Sequence, residues 1–300
     1  VGYSESDLPS RYARDWLTRA RARLADQAPA MRALQAQGLL AGVPVEILCA
    51  FIAPGSARSN TTDATTGKGL EVAFHEVGYY QVPAGPADRD PATKRPRAPA
   101  PNPNPAAPNN AWGRLARDPD VVRALGHPAT MAPDGWKADL AAQHAVGFAM
   151  LRDDYRAAVR NLPAEIAPSG WNTPWGVAVM FTAFSAGPGG AVALFKRYAA
   201  RLATVGEAFR FGALINAVCA DLQGGWKPGG TPDHHNNPVH RVLRTWQKFE
   251  LARAIATPDA AVFFDPHLDD AQLAHERLVL RGNWNLAPGP ERVAALAWPG

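Results

Sequence analysis

Four carboxylic acids and a histidine fall within one segment, GVPVEILCAFIAPGSARSNTTDATTGKGLEVAFHEVGYYQVPAG, from Gly42 to Gly85. Together they offer the groups that proton transfer needs. General acid catalysis requires an acid held protonated until it donates to a leaving group, often with a second carboxylate that directs water or offsets positive charge. Glu76 is the first choice for the acid, because it lies among Phe74, Val77 and Tyr79, where partial burial favours the protonated form. Glu71 and Asp63 are the other candidates. Asp63 sits in the run TTDATTG, where its carboxylate can equally accept backbone N–H bonds. His75 is either a donor to substrate or a solvated surface histidine. Tyr79, Tyr80 and Gln81 are candidate groove residues, although the amphipathic tyrosine ring serves a core as readily.

These groups need an element to hold them. Pro44 can open a helix, since its missing N–H falls where the first turn has no acceptor, and Val43, Ile47, Leu48, Phe51 and Ile52 supply an apolar face. Pro54 and Gly55 must end that helix near Ala53. Strand-like text is confined to Ala73–Val82. A second candidate surface lies farther on: Trp171 and Trp175, in a loop before an apolar helix, have flat faces able to stack on sugars, and Ser185 to Gly190 interrupts helical text with three glycines. That turn permits close approach of backbone or ligand, or is a plain helix break.

The chain divides by composition into a polar N-terminal helical extension (1–38), the segment with the candidate site (39–85), a Pro/Asn-rich loop (86–111), a helical continuation (112–256) and a C-terminal extension (257–300). The first helix is expected from about Leu8, with Pro29 dividing it or marking a new start. Further helices are expected over Trp112 to Leu125, from about Pro133 to Val159 with Asp134 as its cap, on both sides of Ser185–Gly190, over Glu207 to Asp221, over Val239 to Ile255, and around Ala271 to Val279. The fold class is therefore mainly α.

With 300 residues the chain can bury a core without disulfides or metal. Its net charge of +4 is spread among 27 acids, which permits an anionic polymer but falls short of a nucleic-acid footprint. Cys49 and Cys219 read as buried thiols or as one long-range disulfide. No apolar run is long enough to span a bilayer and the first residues are not signal-like, so a soluble chain, or one whose targeting piece was removed, is expected. His234, His235 and His240, with Asp233, either gather a metal or cap the following helix, and they lack the spacing of known zinc enzymes. DPHLDD at 265–270 reads as helix capping. No cofactor is expected.

Two pieces resemble the lysozyme-like superfamily, in particular goose-type lysozymes and lytic transglycosylases. One is the helix GVPVEILCAFI followed, after a polar stretch, by Gly78, Tyr79, Tyr80, Gln81 and Val82. The other is Ala183, Phe184, Ser185, Ala186, Gly187, Pro188 and Gly189, similar to an aromatic–Asn–Ala–Gly motif on a later helix. The resemblance implies a lysozyme-like helical domain with a short β-hairpin and long loop insertions, cleaving a β-1,4-linked amino-sugar polymer such as peptidoglycan, and then a secreted or periplasmic location. Where that family carries Glu and Ser, this chain has Pro54 and Gly55, and Ser185 stands for the Asn. The alternatives are a catalytically inactive module that binds glycan or a protein, and a metal-assisted hydrolase using the histidine tract.

Overall fold

The computed structural model describes residues 11–53, 76–80, 82–83, 110–130, 139–226 and 238–256. Among them the chain is mainly helical: α1 (Arg11–Ala36), α2 (Val45–Ile52), α3 (Ala111–Leu115), α4 (Pro119–Leu125), α5 (Leu140–Val159), α6 (Pro174–Ala186), α7 (Pro188–Arg197), α8 (Ala199–Leu202), α9 (Arg210–Gln223) and α10 (Pro238–Ala256). A two-stranded antiparallel hairpin, β1 (Glu76–Val77) and β2 (Val82–Pro83), pairs Glu76 with Pro83 and Val77 with Val82. The Pro/Asn-rich loop, the C-terminal extension and the helix expected at Ala271–Val279 lie outside the described residues.

Contacts divide the chain into two units, 1–25 with 42–51 and 151–300, and 26–41 with 52–150. In the first unit α6 is the central element. Every residue from Trp175 to Ala183 is buried, so no polar face survives, and α7, α9 and α10 pack against it. An apolar helix of this kind holds its place only by being surrounded. The second unit packs β2 against α3, with Val82, Trp112, Leu115 and Val121 in its core.

Two local expectations are corrected. Pro29 does not divide α1, which runs through it. Its ring is on the exposed side while Ala28, Met31 and Leu34 are buried, so the carbonyl of Ala25 that loses its hydrogen bond is itself open to water. At the start of α5 the cap is Asp139, whose carboxylate accepts the Ala142 N–H at 2.6 Å; Asp134 lies outside the described residues.

Two tyrosines of the first unit set an alkaline limit. Burial, then the negative charge of Glu207, pushes the Tyr155 hydroxyl from 10.0 up to about 12. Tyr198 is also pushed up to about 12, mainly by burial, with Arg197 opposing and Asp221 reinforcing. The unfolded chain loses these protons near 10.0 while the folded chain keeps them, so stability is fully present below that pH and falls as pH rises toward about 12. The urea midpoint is expected to drop across this window together with the rise of tyrosinate absorbance.

Candidate functional site

In the second unit the hairpin carries the first candidate cluster. Gly78 follows β1 with φ of +74°, a conformation that glycine adopts without strain, and a Cβ there would stand 2.8 Å from Gln143 Oε1. That same oxygen accepts the Tyr79 N–H at 3.3 Å. Tyr80 then turns inward, 2 % exposed, and its hydroxyl meets Nδ1 of the fully buried His144 at 3.0 Å. The Tyr80 ring stands edge-on to His144 and to Phe148, while Tyr79, half-buried, lies nearly parallel to His144 at 6.4 Å between centroids. The hairpin is thus fixed to α5 through the Tyr79 N–H, the Tyr80 hydroxyl and ring contacts with His144 and Phe148.

This arrangement divides the two tyrosines. Tyr80 is a core anchor, which corrects its reading as a groove residue, since burial leaves its ring no face for a sugar. Tyr79 keeps exposed surface. His144 and Gln143 were not among the sequence candidates, although the signal was there: a polar pair inside the apolar helical run AAQHAVGFAM. The backbone of Glu76 is fixed by its pairing with Pro83, while its side chain, together with His75, Gln81, Glu71 and Asp63, lies outside the described residues.

A close approach makes this anchoring testable. A Cβ on Gly147 would overlap the Tyr80 ring, lying inside contact distance of Cδ2 and Cγ. Gly147→Ala is expected to cost about 2 kcal/mol through overpacking. In a Tyr80→Ala background the same change should cost nothing or stabilise slightly, because only the helix preference of alanine remains. A double-mutant cycle on urea midpoints reads this coupling.

The other candidates lie in the first unit. Phe51, in the last turn of α2, packs against Phe181 at 4.2 Å and Phe184 at 5.2 Å between ring centroids. The end of the apolar helix therefore meets the helix that closes on Phe184, Ser185 and Ala186. Gly187 joins α6 to α7 with φ of +76°, and a Cβ on it would meet nothing within 4 Å. The turn is a glycine-dependent helix break, with Ser185 half-buried beside it.

Trp171 is half-buried and stands edge-on to Tyr155 at 6.2 Å. Trp175 is corrected outright: it is fully buried, donates its indole N–H to the Ile166 carbonyl at 2.6 Å and packs against Phe195, so it belongs to the core. The loop between is tied down by Glu207, which accepts from the Ser169 N–H at 3.1 Å and from the Thr173 hydroxyl at 2.7 Å, while Thr173 caps α6 through the Gly176 N–H.

Cys49 is a fully buried thiol, and the side chain of Cys219 lies outside the described residues. Among the described residues no group of three His, Cys, Asp or Glu is placed to hold a metal ion, and His234, His235 and the His240 side chain lie outside them. Among the described residues no helix is long and apolar enough to cross a membrane. Comparison with protein-family models, with curated proteins and with solved structures finds no match to this chain.

Proposed function

We propose that the chain is a glycan-cleaving enzyme of lysozyme-like type, a glycosidase or lytic transglycosylase acting on a β-1,4-linked amino-sugar polymer such as peptidoglycan, with Glu76 as proton donor. The reading is carried by the contact of Phe51 with Phe181 and Phe184, which joins the two helices that bear the resemblance. It is supported by the hairpin, whose first residue is Glu76 and whose turn is anchored by Tyr80 and His144. A lytic transglycosylase uses a hydroxyl of the sugar as nucleophile, so one carboxyl group suffices for it.

Pro54 and Gly55, at the place of the acid and serine in the family the chain resembles, favour a second reading, a glycan-binding module without cleavage. Incubation of the full chain with insoluble peptidoglycan and with chitin separates the two. New reducing ends or anhydro-sugar ends support cleavage. Retention in the pellet with no new ends supports binding alone, and neither result on either polymer removes both.

A further inference from the structure

The loop from Ala164 to Thr173 is pinned along its length. The carbonyls of Glu165 and Ala167 accept from the Arg210 guanidinium at 2.8 and 3.3 Å, and the carbonyl of Ile166 accepts the Trp175 indole N–H at 2.6 Å. Both carboxylate oxygens of Glu207 accept the Ser169 N–H, at 3.1 and 3.2 Å, and Oε1 also accepts the Thr173 hydroxyl at 2.7 Å. What this fixed loop presents is Trp171, half-buried and standing edge-on to Tyr155, and next to it the exposed Asn172. All of these residues belong to the first unit.

The polar groups around the indole have bonding capacity left. Tyr155 is 7 % exposed, yet among the described residues nothing hydrogen-bonds its hydroxyl. Glu207 lies near enough for its charge to act on that hydroxyl, in the same direction as burial. A sheltered hydroxyl without a partner destabilises the fold, and a ligand hydroxyl relieves that cost. No cation pairs with Glu207 among the described residues, and its Oε2 accepts one bond where a carboxylate oxygen can accept two. The Asn172 amide bonds to none of the described residues and offers both donors and an acceptor. An indole beside a carboxylate, a hydroxyl and an amide suits a ring with one apolar face and a rim of hydroxyls. An anion is repelled by Glu207, since Arg210 is engaged by carbonyls, and a wholly apolar ligand leaves the polar groups unpaired.

We propose that Trp171, Asn172, Tyr155 and Glu207 form a saccharide subsite for a neutral N-acetylated pyranose, with its apolar face on the indole and its hydroxyl and acetamido groups on the three polar side chains. Because the loop is already held, binding orders little of the chain and little affinity is lost to entropy. The choice of sugar rests on the glycan reading, but the subsite does not require cleavage.

The test measures binding of triacetylchitotriose to the full chain by calorimetry, with release of new ends from insoluble peptidoglycan and chitin assayed on the same preparations. Trp171→Ala is expected to weaken binding at least about tenfold, and Tyr155→Phe about threefold. Tyr155→Phe should melt with the parent or slightly above it, because the hydroxyl it removes has no partner in the fold, whereas a structural hydroxyl would lower the melting temperature. Should Trp171→Ala fail to fold, Tyr155→Phe alone decides. No binding by the parent, or parental affinity in folded Trp171→Ala or in Tyr155→Phe, overturns the subsite. Tighter binding of the deacetylated, cationic trimer overturns the assignment of a neutral sugar. Binding that depends on Trp171 in a chain that releases no new ends supports the subsite and removes the cleavage reading. New ends released by the parent, with parental affinity in both variants, remove the subsite and support cleavage.

Discussion

If the chain cleaves glycan with Glu76 as donor, as proposed, exchange of Glu76 for glutamine is expected to reduce cleavage at least about 100-fold, the range over which a positioned general acid contributes. Glutamine keeps the size and one oxygen of the side chain but has no proton to give to the leaving sugar. The loss should therefore fall on kcat, with KM little changed, because groove contacts made before the transition state remain. The backbone of Glu76 pairs with Pro83 whatever the side chain, and the hairpin is held by Tyr79, Tyr80 and Gln143, so the melting temperature should not move. Parallel Glu71→Gln and Asp63→Asn variants complete the experiment. Full activity in Glu76→Gln with loss in one of the others would transfer the donor role, while full activity in all three would remove the acid from this segment.

Much of the fold is legible where strong local chemistry agrees with burial. Pro44 and the Pro54–Gly55 pair bracket α2, whose observed span is Val45–Ile52, and the apolar text of α6 matches a helix buried on all sides. Gly187 marks the break between α6 and α7 because only glycine accepts that backbone cheaply. The misreadings have a common origin in what lies around a residue. Pro29 reads as a breaker until its exposed position in α1 is known. Trp175 reads as a loop tryptophan, yet it is the second residue of α6 and its N–H is used within the core. Tyr80 and His144 are 64 residues apart, and no periodicity announces that a hydroxyl from a hairpin will meet an imidazole on a distant helix.

The two pieces that carry the resemblance are legible as motifs, but the side chains they pack against are not. The resemblance singled out the end of α2 and the turn after α6, and the Phe51–Phe184 contact lies between those two elements. Neither motif points to the Lys248 Nζ, which stands 3.9 Å from the centroid of the Phe51 ring although the two residues are nearly two hundred apart in the chain.

The largest stability effect is expected at Gly176, where alanine should cost about 3 kcal/mol, at the upper end of overpacking penalties. A Cβ at this position would overlap the Gly170 carbonyl oxygen and stand 2.9 Å from its carbon and 3.0 Å from the Trp171 Cα, all backbone atoms. A flexible side chain could swing away from such a contact, but a tethered loop cannot. Thr173 binds the Gly176 N–H and Glu207, Glu207 binds the Ser169 N–H, and the Trp175 indole holds the Ile166 carbonyl, so the loop is pinned on both sides of Gly170. Relief requires breaking that set or displacing the first turn of α6. Gly189→Ala serves as the contrast: that glycine is exposed, lies in α7, and a Cβ on it would meet nothing within 4 Å, so the change should be neutral or stabilise by up to about 1 kcal/mol. Thermal unfolding of the two variants side by side checks the argument, and a Gly176→Ala protein melting with the parent would mean that the loop from Ile166 to Thr173 yields far more readily than its hydrogen bonds imply.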